Sequence, residues 1–235
     1  IPDPLELQVV DAIRTAEFSL NTRFAYHEKF VSGDFERISL GTKWPALELH
    51  LAFGLPNLGN SEYAYQKVVG HVYQRLQLGT AGWMRINVEA GKLWGALPYP
   101  LLIIHSGNET FYSDDASFNT MNFFEFLSDR YGQIQVEHHF EGLFFNRVPL
   151  FRRLKWREVV VGKAVAGSLD LEKHLKEMLL LPGMYTLNRG PYMELSAGVE
   201  NIFKVLRVDA IWRLRYNDHP NTSPFVIRLK LFINF

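Results

Sequence analysis

Residues 225–235 alternate without a break. Phe225, Ile227, Leu229, Leu231, Ile233 and Phe235 share one phase and are all apolar, while Val226, Arg228, Lys230, Phe232 and Asn234 fill the other. Successive side chains of a strand point to opposite faces, so the pattern predicts a strand with one apolar and one charged face. The same alternation recurs upstream. Ala16, Phe18, Leu20, Thr22, Phe24 and Tyr26 oppose Glu17, Ser19, Asn21, Arg23 and His27. Leu47, Leu49, Leu51 and Phe53 oppose Glu48 and His50; Val68, Val72, Leu76 and Leu78 oppose Lys67, His71, Arg75 and Gln77, with Gln74 out of step. Met84, Ile86, Val88 and Ala90 oppose Arg85, Asn87 and Glu89; Ile134, Val136 and Phe140 oppose Gln133, Gln135, Glu137 and His139. Met193, Leu195, Ala197 and Val199 oppose Glu194, Ser196 and Glu200. Leu206, Val208, Ala210, Trp212, Leu214 and Tyr216 oppose Arg207, Asp209, Arg213 and Arg215. The stretch 154–166 is also strand-like, with a phase slip near Arg157-Glu158 that suggests a bulge. Nine strands are predicted, or ten if 36–40 pairs separately. With 47% apolar residues, six of six on one phase has a chance probability of about 0.01 per segment.

The connections alternate in length. Those at 79–82 and 200–205 are tight, and those at 96–122 and 168–190 are long. Outer-membrane barrels pair short periplasmic turns with long external loops. With the C-terminus on the periplasmic side, 217–224, 168–190 and 96–122 fall outside, and 200–205 and 141–153 inside; the side of 27–45 is open. Eleven residues at about 3.3 Å each span about 36 Å, which at a tilt near 45° covers the roughly 25 Å of an outer-membrane apolar band. Trp83, Trp94, Tyr192, Tyr216, Phe225 and Phe235 sit near strand ends, as interfacial girdles require. The competing expectation is a soluble barrel or sandwich with its apolar face inward, because periodicity does not tell which face is buried.

Composition adds boundaries. The 235 residues carry 25 basic and 25 acidic side chains and no cysteine, so neither a nucleic-acid partner, a disulfide framework nor a Cys-ligated metal is implied. Apolar runs such as 101–104 and 178–181 are far shorter than a membrane-spanning helix. A chain that opens at Ile1 without Met is expected to be a processed product or a piece of a longer protein.

Several ungapped phrases carry a family resemblance. They are Glu36-Arg37-Ile38-Ser39-Leu40-Gly41, Gly91-Lys92 through Leu97-Pro98-Tyr99-Pro100-Leu101-Leu102, Ser106-Gly107-Asn108-Glu109 and Asn122-Phe123-Phe124-Glu125-Phe126 with Ser128-Asp129-Arg130-Tyr131. Downstream are Glu137-His138-His139-Phe140, Gly142-Leu143-Phe144-Phe145-Asn146, Arg157-Glu158-Val159-Val160, the run 200–209 and Asp218-His219-Pro220-Asn221. From about Ala16 to Phe235 the chain resembles the C-terminal part of a Bacteroidota outer-membrane family of unknown function, whose members carry a carboxypeptidase-regulatory-like domain ahead of a barrel. More distantly, a long loop followed by five strands is similar to the last part of a BamA-type surface-antigen barrel. The Arg-Gly-aromatic loop motif of that family is absent; Asp129-Arg130-Tyr131 is a distant echo.

The fold expected is all-β: a transmembrane antiparallel up-and-down β-barrel, or its C-terminal half, occupying 1–235 with two long external loops. Leu171, Leu175, Met178 and Leu179 in 170–181 give one of those loops a short amphipathic helix, ended by Pro182-Gly183. The chemistry expected is sparse. Glu137-His138-His139 has metal-ligating residue types, yet a strand turns the two histidines to opposite faces. Asn108-Glu109-Thr110 and Asn221-Thr222-Ser223 match the glycosylation pattern only formally. No catalytic constellation stands out, so no enzyme activity and no cofactor is expected. The lumen-facing charges Arg23, Glu48, Arg75, Arg85, Glu89, Glu137 and Asp209 mix both signs, whereas Arg207, Arg213, Arg215, Arg228 and Lys230 form a cationic stripe on the last two strands. The resemblance implies that Phe225, Ile227, Leu229, Leu231, Ile233 and Phe235 are an assembly signal. Its implied partners are outer-membrane lipid, the barrel assembly machinery and other envelope proteins, and the implied role is outer-membrane protein biogenesis or polypeptide transport. The alternatives are a non-catalytic docking barrel in an envelope complex and a passive pore lined by the cationic stripe.

Overall fold

The computed structural model describes residues 12–33, 37–174 and 180–231. Its strands in chain order are β1 (Glu17–Ala25), β2 (Lys29–Ser32), β3 (Arg37–Gly41), β4 (Ala46–Gly54), β5 (Tyr65–Gln77), β6 (Trp83–Trp94) and β7 (Ile103–Ile104). They continue with β8 (Phe126–Ser128), β9 (Arg130–His139), β10 (Arg157–Ser168), β11 (Tyr185–Thr186), β12 (Tyr192–Ile202), β13 (Leu206–Arg213) and β14 (Phe225–Leu231). Two short helices lie in connections, α1 (Pro149–Leu154) and α2 (Leu171–His174). Nine strands make one antiparallel sheet in the order β1-β4-β5-β6-β9-β10-β12-β13-β14. These are the nine that the alternation predicts. Residues 37–41, part of the segment whose pairing the sequence leaves open, pair apart, as β3 with β2.

One expectation about β10 is corrected. The phase slip near Arg157 is not a bulge. Residues 149–154 are α1, Lys155 ends it in the left-handed conformation, and the strand starts only at Arg157. Glu158 leaves the alternation because its carboxylate accepts the backbone N–H groups of Gly142, Phe144 and Phe145 in the preceding turn. The predicted helix at 170–181 begins with α2; Leu175, Met178 and Leu179 lie outside the described residues. So do Ile233 and Phe235 of the predicted final strand.

Register places the connections. The turn ends of β5 and β6 meet at Gln77 and Trp83, those of β9 and β10 at His139 and Val159, and β13 pairs β14 at Leu206 and Leu231 on the same side. The 26–45 connection joins this side, because Ala25 pairs Ala46 while Glu17 pairs Gly54 at the opposite end. The long connections 95–125 and 169–191 leave from the other end. There β7, β8 and β11 form a second small sheet joining the two loops. Leu97, Leu102, Ile103, Leu127 and Leu169 build an apolar core beneath it with Tyr65 and Leu93.

The burial pattern of the large sheet is inverted. In β12, Glu194, Ser196 and Glu200 are buried while Leu195 is exposed; in β13, Arg207, Asp209 and Arg213 are buried while Trp212 is exposed. Arg228 is 7% exposed, whereas its neighbours Ile227 and Leu229 are 63% and 40% exposed. Across the sheet Phe18, Leu20, Leu49, Ile134 and Leu195 extend one exposed apolar face. Contiguous apolar surface on this scale marks an interaction face.

Aromatics rim that face, but not all of those predicted. Phe18, Phe53, Trp94, Trp212 and Phe225 line the long-loop end, and Phe24, Tyr26 and Trp44 stand exposed at the turn end. Trp83, Tyr192 and Tyr216 are corrections. Trp83 points inward and stacks on His139 at 3.8 Å, while Tyr192 and Tyr216 are buried around Phe126.

The sheet is rolled. β6 and β14 are five strand spacings apart, about 24 Å if flat. Yet Arg85 of β6 and Lys230 of β14 both bind Asp115, at 2.9 and 2.6 Å. Only curvature brings them within reach. The roll remains open: among the described residues β1 pairs only with β4, and β14 is not paired with β1. Nine antiparallel strands also leave β1 and β14 running in the same direction, so they would have to close as a parallel pair. The described residues thus form the all-β antiparallel sheet expected from the sequence, with no closure between β1 and β14 among them.

Gly82 opens β6 with φ +89°, and an added Cβ would sit 1.9 Å from the His139 carbonyl oxygen. Gly70, mid-strand in β5, has open space. G82A is expected to lower stability by at least about 1 kcal/mol, and G70A to leave it unchanged or raise it slightly. Urea midpoints of the two variants check this; equal midpoints would contradict the turn geometry.

Candidate functional site

The inward phase of β5 to β14 gathers charge because lysine, arginine and carboxylate side chains alternate there with the outward apolar ones. Glu137 in β9 is the hub. It accepts from Arg207 Nη1 of β13 at 2.5 Å and from Arg85 of β6. Arg207 Nε also binds Asp209, two residues along its own strand, at 2.8 Å. His139 lies between Glu137 and Glu200, with Nδ1 3.0 Å from the Glu200 carboxylate. The carboxylates, guanidinium and imidazole of Glu137, Glu200, Arg207 and His139 are each at most 5% exposed.

The 95–125 loop folds back over this face and supplies the remaining partners. Lys163 Nζ donates to the carbonyls of Asp114, Asp115 and Ser117. Glu194 accepts the backbone N–H groups of Asn119 and Thr120, each at 3.0 Å. Arg213 grips Glu125 with both Nη atoms, and His219 Nδ1 lies 2.8 Å from the same carboxylate. Arg228 donates to the carbonyls of Asn119 and Asn108. Lys230 holds Asp115. The loop also pairs with the free edge of β14, where Leu229 N–H donates to Phe111 and Ser113 N–H donates back to Leu229.

Asn108 shapes the loop. Its Oδ1 accepts from Thr110 N and Oγ1, and its Nδ2 donates to Tyr112 and Asn119. That turn accounts for the side chain without glycosylation chemistry. A cavity of about 340 Å³ remains between the loop tip and β5, β6 and β9, lined by His71, Asn87, Glu89, Gln133 and Gln135.

The cationic stripe of the sequence reading is corrected by these contacts. Arg207, Arg213 and Lys230 face carboxylates, and Arg228 faces carbonyls. Arg215 is exposed beyond β13 and donates to Arg189 O. Arg213, Arg228 and Lys230 thus anchor the loop, while Arg207 is matched within the sheet, and the stripe is not an open row of positive charge. Arg23 and Glu48, which the loop does not cover, pair with each other at 3.2 Å. Glu137 and His139 share the inner face, as their spacing predicts; His138 turns outward and stacks on Phe140. The outward apolar residues Phe225, Ile227, Leu229 and Leu231 form one face of β14, exposed throughout. Sequence reasoning missed Asp115, Glu125 and Asn119. Nothing in the alternation marks a loop residue as the partner of a strand residue 75 to 115 positions away.

Burial governs the loop's titration. Desolvation pushes the His105 imidazole down to about 4, so it is neutral at physiological pH. Burial alone would raise Glu125, but its hydrogen bonds to Arg213 and Asn122 outweigh that and hold it below the usual carboxylate value. Asp115 is likewise lowered, its desolvation overcome by Lys230 and Arg85.

A model of the C-terminal domain of a family of unknown function, DUF5686, matches residues 1–170. That is well over half of the 235 residues. The chain belongs to this family. No curated protein matches it. The matched stretch runs from upstream of β1 to the end of β10 and contains the whole re-entrant loop. It includes the phrases that carry Asn108, Glu125, Asp129, Glu137 and His139, while the phrases at 200–209 and 218–221 lie beyond it. The matched stretch therefore holds Glu137, Arg85 and the loop's half of the contacts, and strands outside the match deliver Arg207, Arg213, Arg228 and Lys230.

Two outcomes follow. R213M leaves Glu125 buried without its guanidinium, and losing one partner of such a pair costs about 3–5 kcal/mol. Limited proteolysis should then cut 105–125 much faster than in the parent, while R215M leaves the cut rate unchanged. Acidification acts in two windows. His105 has a folded value below its ordinary 6.5, so its contribution is present at pH 7 and is lost as pH falls from 6.5 towards 4. The contribution of Glu125 is lost below the ordinary 4.5. A urea midpoint that declines between pH 6.5 and 4, and does so less in H105N, is the expected result.

Proposed function

We propose that this chain is the barrel region of an integral outer-membrane protein that handles other polypeptides, in outer-membrane protein biogenesis or in transport. The inverted burial carries the membrane part: charge inside and exposed apolar side chains outside suit a sheet whose solvent is lipid on one face. The aromatic rims at both ends agree with interfacial girdles. In this reading the long loops lie at the cell surface, and the short turns and the end of β14 face the periplasm. The final strand, from Phe225 through Ile227, Leu229 and Leu231 to Ile233 and Phe235, is then read by the barrel assembly machinery. A carboxypeptidase-regulatory-like domain ahead of the chain fits the same reading.

The polypeptide-handling part rests on layout. A long loop returns into the interior and is followed by five strands of the main sheet, β9, β10, β12, β13 and β14, as in BamA-type barrels. An edge strand such as β1 offers unpaired backbone groups that another strand could satisfy. The passive pore fits less well, since the would-be cationic lining is spent on Glu137 of the sheet and on the loop.

The absence of native cysteine permits a direct test. In intact cells, L58C, in the β4–β5 connection at the long-loop end, should react with a membrane-impermeant maleimide, and T80C, in the β5–β6 turn, should react only after the outer membrane is opened; both side chains are exposed. Equal labelling from outside would refute the orientation. Depletion of the full-length protein should lower other outer-membrane barrels in a proteome, and an unchanged barrel content would remove the biogenesis role while leaving the membrane location intact.

A further inference from the structure

The connection between β9 and β10 concentrates positive charge that nothing in the sheet uses. Residues 141–157 hold Arg147, Arg152, Arg153, Lys155 and Arg157 against a single acid, Glu141. Glu141 pairs with Arg157. Among the described residues Arg147, Arg152, Arg153 and Lys155 have no carboxylate partner, and all four are exposed. The chain as a whole is charge-balanced, and 95–128, at the opposite end of the sheet, has four acids and no base. The basic cluster is therefore local and one-sided.

Exposed apolar side chains are set among these cations. Phe144 is 50% exposed, Leu150 60%, Leu154 45% and Phe203, from the neighbouring β12–β13 turn, 86%. Asn201 of that turn donates to the Lys155 carbonyl at 2.7 Å, which brings Lys204 to the same patch. The patch is also continuous with the outer apolar face. His138, outward on β9, stacks on Phe140 at 4.1 Å; Phe140 meets Phe144 at 5.4 Å, and Arg147 lies 6.0 Å from the Phe144 ring. Behind them Phe145, Phe151 and Trp156 stack, so α1 is held against the sheet end and its cations stand out.

We propose that this rim, α1 with the β12–β13 turn, is a binding surface for anionic phospholipid headgroups in the leaflet at the turn end of the sheet. The inference rests on the membrane reading above. A surface that alternates arginine or lysine with phenylalanine and leucine at the edge of an apolar band can seat the rings and alkyl stems in the acyl boundary and the charges on phosphates. An acidic protein surface would pair with the cations but leave Leu150, Leu154 and Phe203 without a purpose.

The test uses the full-length protein, delipidated in detergent and offered equal phosphatidylglycerol and phosphatidylcholine, with retained lipid counted by native mass spectrometry. Phosphatidylglycerol should be retained in preference by at least about fivefold, the expected effect of even one basic residue at an anionic surface. The preference should vanish in R147Q/R152Q/R153Q/K155Q and persist in R147K/R152K/R153K, which keeps the charge. Equal retention of both lipids by the parent protein would overturn the proposal and leave an acidic protein as the occupant. Partition into vesicles is measured alongside. Protein that inserts but shows no lipid preference defeats this inference alone, and protein that inserts into neither lipid defeats the membrane reading and this inference with it.

Discussion

The structure depends on neutralising the inward charges of one curled sheet. Alternation sends arginine, lysine and glutamate to the same face on β6, β9, β10, β12, β13 and β14, and a buried ion left without a partner is strongly destabilising. Part of the balance is met between strands, through Glu137, Arg207, Arg85, Asp209, His139 and Glu200. The rest is met by a single loop. Asp115 and Glu125 supply carboxylates, and the backbone of 114–120 supplies carbonyls to cations and N–H groups to Glu194. The roll, the re-entrant loop and the occluded interior follow from that one requirement.

This arrangement separates the sheet into two parts. From β6 to β14 the inner face is largely covered and its buried charged groups are matched. On β1 both faces are exposed, and Arg23, Glu48 and Asn21 make only surface-type contacts. Surface pairs of this kind contribute about 0–1 kcal/mol, so the β1 side has few fixed interactions of its own. A polypeptide-handling role would draw on that contrast, because strand addition needs an edge that is ordered but not committed, and the loop-locked half gives it a rigid support.

Much of the framework was legible in the residues. The nine strands, the phase of each, and the alternation of short and long connections follow from period-two patterning, which depends only on backbone geometry. Whether 36–40 pairs separately was left open by the alternation, and the β2–β3 pairing settles it. The errors cluster where alternation stops. Trp83, Tyr192 and Tyr216 look like interfacial aromatics by position, yet each lies on the inward phase or in a loop, and packing against His139 or Phe126 decides their place. The slip at Arg157 reads as a bulge because a helix end and a strand start abut within three residues.

The charged interior shows where the boundary lies. By itself the sequence determined that Arg207, Arg213, Arg228 and Lys230 share a face with Glu137, since strand geometry fixes that locally. It did not determine which face is inside, or that Asp115, Asn119 and Glu125 would meet those residues from a loop far away in the chain. Those are long-range pairings, chosen by curvature and by the cost of unpaired buried charge, and neither leaves a periodic trace. Of a row of positive residues in the sequence, Arg213, Arg228 and Lys230 became, in the tertiary structure, the anchors that hold the loop in place.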